Sequence, residues 1–265
     1  MQNRIDKCFN RLKNKNKKAL ITFLTAGDPE YELSLDIIKA LPEAGADIIE
    51  IGMPFTDPMA DGPIIQASSQ RSLKSGHTMN KTFDLVYNFR AHNTETPIIL
   101  MGYYNPIYNF GVENFLDKVK QLGVDGLIVV DLPPEEDNEL CDLAIVRGIS
   151  FIRLATPTTD KQRLKKVLQK TSGFLYYVSI AGITGSKKPD LSIVKDAVIN
   201  IKKSTNIPIG VGFGIKSKKD IVKILDFADA VIVGSVLVNL IANDGPASDV
   251  KKQVIRKVEE FASIM

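Results

Sequence analysis

The 265 residues are 44% apolar and 25% charged, which is the composition of one globular domain with a sizeable core. The formal net charge of +3 comes from basic residues spread along the chain, so neither a nucleic-acid surface nor a membrane surface is indicated. With two isolated cysteines, no apolar run near the roughly 18 residues of a membrane span, and a polar N-terminus, we expect a cytoplasmic protein with reduced thiols.

Short β-branched runs alternate with amphipathic helical patterns along the chain, which is typical of β-α-β units on a parallel sheet. The predicted strands are residues 20–25, 47–51, 98–101, 126–130, 150–154, 174–179, 207–211 and 230–233. The predicted helices are residues 3–12, 31–43, 63–73, 81–91, 112–122, 137–146, 160–170, 191–203, 217–226 and 248–264. This pattern predicts an α/β fold, a (β/α)8 barrel formed as one domain by residues 1–265, with an extra N-terminal helix across its bottom and additional short helices.

Two carboxylates lie at the end of the second predicted strand, where barrel enzymes place their functional groups. Glu50 is one residue from the strand end, and Asp61 follows in a proline-containing loop, so that both can face one cavity. An unpaired buried carboxylate is costly, so the alternative for Glu50 is a structural ion pair with a Lys or Arg. Asp61 precedes Gly62 and Pro63 at the start of a helical pattern, so its alternative role is to cap that helix.

Glycines follow the seventh and eighth predicted strands, at residues 210–214 and 233–235. Each stretch is expected to open a helix, and barrels often bind phosphate with these two loops through backbone N–H groups. The alternative is that the glycines only form tight turns. A dinucleotide site is not favoured because the spacing differs from GxGxxG.

Other polar residues give weaker indications. His77 and His92 share no spacing with other ligand types, so both are expected to be solvated and no metal site is predicted. Asp131 follows the fourth predicted strand and is expected to support the barrel rim. The sequence contains no GxSxG motif of a serine hydrolase.

Several of these stretches resemble the signature sequences of the tryptophan synthase α subunit family. Residues 49–62 match position for position, and residues 24–29, 101–106, 176–179 and 182–185 resemble the family's first, third and sixth strand ends. The resemblance extends over essentially the whole chain. It implies a lyase that cleaves indole-3-glycerol phosphate, with Glu50 and Asp61 as the catalytic pair.

The resemblance also implies the binding residues. Phosphate would be held, largely through backbone N–H groups, by Gly185, Phe213, Gly214, Gly234 and Ser235. The indole pocket would be lined by Phe23, Ile65, Tyr103, Tyr176 and Thr184.

A partner is implied in the same way. In the family the subunit docks on a pyridoxal-phosphate-dependent β subunit in an α2β2 heterotetramer, so that cofactor is expected in the partner and none in this chain. The matching surface residues are Asp57, Asn105, Tyr108, Asn109 and Pro133. Two alternatives remain, namely another phosphate-binding barrel enzyme, such as a sugar-phosphate epimerase or a thiamine-phosphate-type synthase, and a non-catalytic regulatory subunit.

Overall fold

The computed structural model of the chain describes residues 3–179, 191–212, 214–243 and 245–265. Its strands are β1 Ala19–Thr25, β2 Ile48–Gly52, β3 Ile98–Gly102, β4 Gly126–Val129, β5 Ser150–Phe151, β6 Arg153–Ala155, β7 Leu175–Val178, β8 Ile209–Gly212 and β9 Ala230–Val233. Its helices are α1 Arg4–Asn14, α2 Tyr31–Ala40, α3 Pro63–Lys74, α4 Met79–Arg90, α5 Tyr104–Phe110, α6 Val112–Gln121, α7 Asn138–Val146, α8 Lys161–Gln169, α9 Leu191–Lys202, α10 Lys218–Leu225, α11 Ser235–Ile241 and α12 Ala247–Ala262.

All strands belong to one parallel sheet that runs in the order β5-β4-β3-β2-β1-β9-β8-β7-β6. Its two ends, β5 and β6, are consecutive pieces of the chain interrupted at Ile152, whose N–H donates to the Leu127 carbonyl at 2.9 Å. β5 pairs with β4, and β6 pairs with β7. The sheet therefore closes on itself, and the predicted (β/α)8 barrel is confirmed, with the predicted strand 150–154 divided in two.

The barrel contains an inner and an outer apolar core. The inner core includes Ile21, Ile48 and Ile99, one from each of three neighbouring strands. Residues between these positions, such as Ile49, point the other way and pack against the helices in the outer core. Side chains of α1 join the inner core through Ile5 and its neighbours, so the prediction that an N-terminal helix covers the bottom of the barrel is confirmed.

Two helix predictions differ from the structure. The predicted helices include none between residues 92 and 111, yet α5 forms there. The Asp131 carboxylate accepts a hydrogen bond from the Tyr104 N–H at 2.8 Å and so stabilises the first turn of this helix. Gly234 directly precedes α11, as expected. The glycines of β8 do not open a helix, because α10 begins only at Lys218. Its N-cap is Ser217, which forms a capping box with Asp220 in the first turn.

The expectation that His77 is solvated is wrong, whereas His92 is exposed as predicted. His77 is only 4% exposed, and its Nε2 lies 2.9 Å from the Thr82 hydroxyl. Burial lowers the pKa of His77 to about 4, so the ring is neutral at physiological pH. The turn between α3 and α4 folds this side chain back against the loop that follows β1.

None of the helices within the described ranges has the length and the apolar character that a membrane span requires. In the same part of the chain, no three His, Cys, Asp or Glu side chains are grouped as metal ligands would be. Cys8 and Cys141 are buried and free.

Replacing Gly27 with Ala is expected to destabilise the protein by about 2 kcal/mol or more. Gly27 has φ +72°, and an added Cβ would lie 2.1 Å from Nδ1 of the buried His77. Urea unfolding of Gly27→Ala would measure the loss, and Gly245→Ala is the matched control because nothing lies within 4 Å of its added Cβ. Equal unfolding midpoints for the two variants would mean that a Cβ at position 27 does not clash with His77.

Candidate active site

Glu50 is fully buried inside the barrel. It lies two residues after Ile48 of the inner core and therefore points to the same side of β2, between Phe23 of β1 and Ile99 of β3. The side chain is 0% exposed, and neither carboxylate oxygen has a hydrogen-bond partner among the described residues. A structural ion pair is thus not found in this part of the chain.

This burial changes the protonation of Glu50. Desolvation raises its pKa from 4.5 to about 8, because the charged form would lose its hydration without gaining a partner. The carboxyl group is therefore predominantly neutral at pH 7. A buried, neutral carboxyl at the carboxyl end of a barrel strand is suited to donating a proton.

Asp61 lies on the loop between β2 and α3 and is held by Tyr103. The Tyr103 hydroxyl donates to Oδ2 of Asp61 at 2.9 Å and accepts from the Ala60 N–H at 3.0 Å. The N-cap of α3 is Gly62, and no side chain of the described residues caps this helix, so capping does not account for Asp61. Burial raises the pKa of Asp61, while the hydrogen bond from Tyr103 lowers it and favours the ionised form.

Both acids affect the pKa of the half-buried Tyr176 on β7. Burial raises the pKa of Tyr176, and negative charge at Glu50 and at Asp61 raises it further. Asp61 and Tyr176 line the cavity at this end of the barrel together with Phe23, the β1 residue that pairs with Glu50 of β2. The structure thus brings together two acids that are separated by a proline-containing loop in the sequence.

A cavity of about 560 Å³ opens at this end of the barrel. Among the predicted residues it is lined by Phe23, Asp61, Ile65, Tyr176, Gly214, Gly234 and Ser235. Tyr103 lies beside it, in a small pocket that it shares with Phe23, Asp61 and Ile65. The predicted residues Thr184, Gly185 and Phe213 lie outside the described residues.

Sequence reasoning missed several residues of the cavity wall. These are Ala60, Gly62, Val130, Leu154, Thr156, Thr158, Val178, Ile215 and Ile232. Val130 and Leu154 follow inner-core positions by two residues on their strands, so strand alternation was a signal that could have found them. Thr156 and Thr158 come from an irregular loop, where the sequence offers no comparable signal.

The glycines beside the cavity have packing reasons of their own. A Cβ at Gly212 would lie 2.4 Å from the Tyr176 hydroxyl oxygen, and one at Gly234 would lie 3.2 Å from the Phe23 side chain. Both glycines therefore allow aromatic side chains to approach the strand ends. The tight-turn alternative is thus compatible with these contacts, and the phosphate-binding role stays a prediction.

The residues predicted to contact a partner all lie on the surface. Asp57, Asn105, Tyr108, Asn109 and Pro133 are exposed, and three of them belong to α5. Tyr108 is 63% exposed, which is high for so large a side chain. α5 begins directly after Tyr103, so this surface adjoins the residue that holds Asp61.

A larger groove of about 920 Å³ lies at the opposite end of the barrel, against α1. Some of its charged side chains pair with one another, as in Arg4 with Asp125 at 2.9 Å and Arg11 with Asp47 at 3.4 Å. None of the described acids that line this groove is buried without a hydrogen-bond partner, whereas Glu50, which has none among the described residues, pairs with Phe23 in the wall of the smaller cavity. We therefore assign the active site to the smaller cavity at the carboxyl ends of the strands.

Replacing Tyr103 with Phe is expected to raise the pKa of Asp61. The variant removes the hydrogen bond that favours the ionised carboxylate, while the burial that disfavours it remains. A carbon-13 NMR titration of the aspartate carboxyl groups would measure the change, with Tyr87→Phe as the control at a 64% exposed tyrosine. An unchanged or lowered Asp61 pKa would contradict the role given to Tyr103.

The family model described as tryptophan synthase alpha chain matches residues 9–265 of this chain. The structure is also similar to solved structures of that enzyme. One is the alpha subunit from Legionella pneumophila, with 38% identity over 100% of both chains and a TM-score of 0.89. A second, from the tryptophan synthase α2β2 complex of Pyrococcus furiosus, has 42% identity over 93% of this chain and 98% of that one, with a TM-score of 0.85.

The similarity extends to a more divergent relative. Tryptophan synthase from M. tuberculosis has 29% identity over 99% of both chains, with a TM-score of 0.88. The family model matches nearly all of the chain, and the folds agree closely with those of family members. This chain belongs to the tryptophan synthase alpha chain family, whose members are enzymes of tryptophan biosynthesis.

Proposed function

We propose that this chain cleaves indole-3-glycerol phosphate by a retro-aldol reaction, giving indole and glyceraldehyde 3-phosphate. The observation that carries the proposal is the fully buried Glu50, which has no hydrogen-bond partner among the described residues and pairs through its strand with Phe23, a residue that lines one cavity with Asp61. The proposal treats residues 1–265 as one barrel domain that acts in the cytoplasm.

In the proposed reaction Glu50 transfers two protons. Its neutral carboxyl protonates C3 of the indole ring, which moves positive charge to the ring nitrogen. The resulting carboxylate then takes the proton of the glycerol 3′-hydroxyl as the bond between C3 and the glycerol carbon breaks. The bond electrons return to the ring, so indole and an aldehyde leave and Glu50 is again protonated.

Asp61 would supply the negative charge that the protonated indole ring requires. Its ionised carboxylate, supported by Tyr103, would accept the indole N–H and stabilise the positive charge on the protonated ring. The apolar side chains of Phe23 and Ile65 line the same cavity and would contact the flat ring. Glu50, which has no hydrogen-bond partner among the described residues, would transfer protons, whereas Asp61, which accepts a hydrogen bond from Tyr103, would stabilise charge.

The phosphate would bind on the side of the cavity formed by Gly214, Gly234 and Ser235. Its binding energy would position the reacting carbons between the acids. We keep Gly185 and Phe213 in the proposed phosphate site, and Thr184 in the proposed indole pocket, on the family resemblance alone.

An assay for both products distinguishes the candidate functions. Purified chain is incubated with indole-3-glycerol phosphate, and indole and glyceraldehyde 3-phosphate are measured with and without a tryptophan synthase β subunit. The proposal predicts equal amounts of both products. Activity on a pentose phosphate instead would favour another barrel enzyme, and no cleavage even with the β subunit would favour a regulatory subunit.

We propose further that the chain docks on a β subunit to form an α2β2 heterotetramer, as the similar Pyrococcus furiosus protein does. The docking surface would include Asp57 and Pro133 together with the exposed face of α5. Pyridoxal phosphate would then belong to the β subunit, which would consume the indole.

Replacing Tyr108 with Ala is expected to weaken binding of the β subunit about ten-fold or more, because exposed aromatic side chains often dominate such interfaces. Isothermal titration calorimetry would measure the dissociation constant. Tyr87→Ala is the matched control, since Tyr87 is 64% exposed and Tyr108 is 63% exposed. Equal affinity of both variants would remove Tyr108 from the proposed docking surface.

A further inference from the structure

The helix that follows Asp61 is anchored to the loop after β1 by several polar contacts. The hydroxyl oxygens of Ser68 on α3 and Thr25 on β1 lie 2.6 Å apart, and the Ser72 hydroxyl donates to the Ala26 carbonyl at 2.5 Å. The Ser75 hydroxyl, just after α3, lies 3.4 Å from the Gly27 carbonyl oxygen. One side of α3 is therefore fixed along most of its length.

The strongest of these contacts is an ion pair between Arg71 and Asp28. Nε and Nη2 of Arg71 donate to the two oxygens of Asp28, each at 2.8 Å. The Asp28 side chain is 0% exposed and that of Arg71 is 29% exposed, so the pair is largely shielded from water. A bidentate pair fixes orientation as well as distance, because the guanidinium fork and the carboxylate are both planar.

The position of Asp61 depends on α3 through short connections. Only Gly62 separates Asp61 from Pro63, the first residue of the helix. The Gln66 side chain of α3 also donates to the backbone carbonyl of Asp61 at 2.9 Å. A shift of α3 along its axis would thus move Asp61 relative to Glu50, which lies on a rigid strand of the sheet.

We propose that the Arg71–Asp28 pair is a positioning device for the reaction, holding α3 in the register that places Asp61 against the indole N–H. This inference rests on the proposed function. Arg71 lies about 12 Å along the helix from Pro63, so it acts through the helix and not by contact with the substrate. A misplacement of about 1 Å at a reacting group can cost on the order of a hundred-fold in rate.

The chain offers a matched ion pair far from the site. Nη2 of Arg90 donates to Oδ2 of Asp125 at 2.7 Å, with side-chain exposures of 10% and 4%. Asp125 directly precedes β4, at the end of the barrel opposite the cavity. Breaking this pair should reduce stability without moving α3.

The experiment compares Arg71→Lys, Arg71→Gln and Arg90→Lys with the wild type. For each protein, kcat and KM for indole-3-glycerol phosphate are measured, together with the Kd of an indolyl-propyl phosphate that lacks the glycerol hydroxyls, and Tm. We expect Arg71→Lys to lower kcat about ten-fold or more while KM and Kd change less than about three-fold, because Lys keeps the charge but not the fork geometry. Arg90→Lys should lower Tm and keep the wild-type kcat.

The outcomes separate this inference from the proposed function. A wild-type chain that releases no indole would refute the proposed function and this inference with it. An active wild type with an unchanged kcat in Arg71→Lys would overturn the positioning role alone, as would an equal loss of kcat in Arg90→Lys. If Arg71→Gln does not fold, Arg71→Lys and Ser68→Ala still test the positioning role. Ser68→Ala removes the neighbouring contact with Thr25 and should lower kcat as Arg71→Lys does.

Discussion

Replacing Glu50 with Gln is expected to abolish indole release while the barrel stays folded. Gln nearly matches Glu in size but can neither deliver the proton to C3 nor take the proton of the glycerol hydroxyl. We expect kcat to fall by about 10³-fold or more, since one residue performs both proton transfers. The control is Glu113→Gln, because the Glu113 side chain is 76% exposed on α6.

The Glu50→Gln variant is also expected to change how the stability of the protein depends on pH. Burial raises the Glu50 pKa from 4.5 to about 8, so the folded state holds a proton that the unfolded state releases between these pH values. Stability of the wild type is therefore lost as pH rises through this range, whereas Gln carries no such loss. At pH 8.5 we expect this linkage to make Glu50→Gln more stable than wild type by on the order of 4–5 kcal/mol.

Urea unfolding at pH 5 and pH 8.5 would measure this difference. The stability gain should be several-fold larger at the higher pH. Identical pH dependence in both proteins would mean that Glu50 is not a neutral buried acid in the folded state. Wild-type indole release by Glu50→Gln would refute its assignment to the proton transfers.

Replacing Asp61 with Asn is expected to leave only a trace of activity, a loss of about 10² to 10³-fold in kcat. The Asn side chain can still accept a hydrogen bond from Tyr103, so the loop should keep its position. What is lost is the negative charge opposite the indole nitrogen, which matters most when the protonated ring forms. KM should therefore change less than kcat.

Steady-state assays of Asp61→Asn and of Asp36→Asn would test this role. The Asp36 side chain is 64% exposed on α2, so its replacement should keep the wild-type kcat. A kcat of Asp61→Asn within about two-fold of wild type would show that charge at this position does not stabilise the reacting ring.

The fold could be predicted from the sequence because its signals are local and repeated. Each strand is a short β-branched run, and a parallel barrel buries such runs on both faces, as for β1, where every residue is buried. Glu50 stood out for the same reason, as a carboxylate within an apolar strand. The division of the fifth strand at Ile152 was not visible, because it follows from pairing with β4 on one side and β7 on the other.

Contacts between distant residues explain what the sequence did not reveal. α5 is stabilised at its start by Asp131, which lies 27 positions away in the sequence. His77 is buried because the Gly27 loop packs over it, and a lone histidine in a polar turn gives no sign of that contact. The same holds for the Tyr103–Asp61 hydrogen bond, which joins residues 42 positions apart.

A crystal structure with the indolyl-propyl phosphate bound would show where Glu50 and Asp61 lie relative to the substrate ring. We expect the indole ring in the cavity, with its N–H within about 3 Å of an Asp61 oxygen and its C3 within about 3.5 Å of the Glu50 carboxyl. The phosphate should lie against Gly214, Gly234 and Ser235. A ring that lies outside the cavity, or one whose C3 and N–H both face away from the two carboxyl groups, would refute the roles proposed for Glu50 and Asp61.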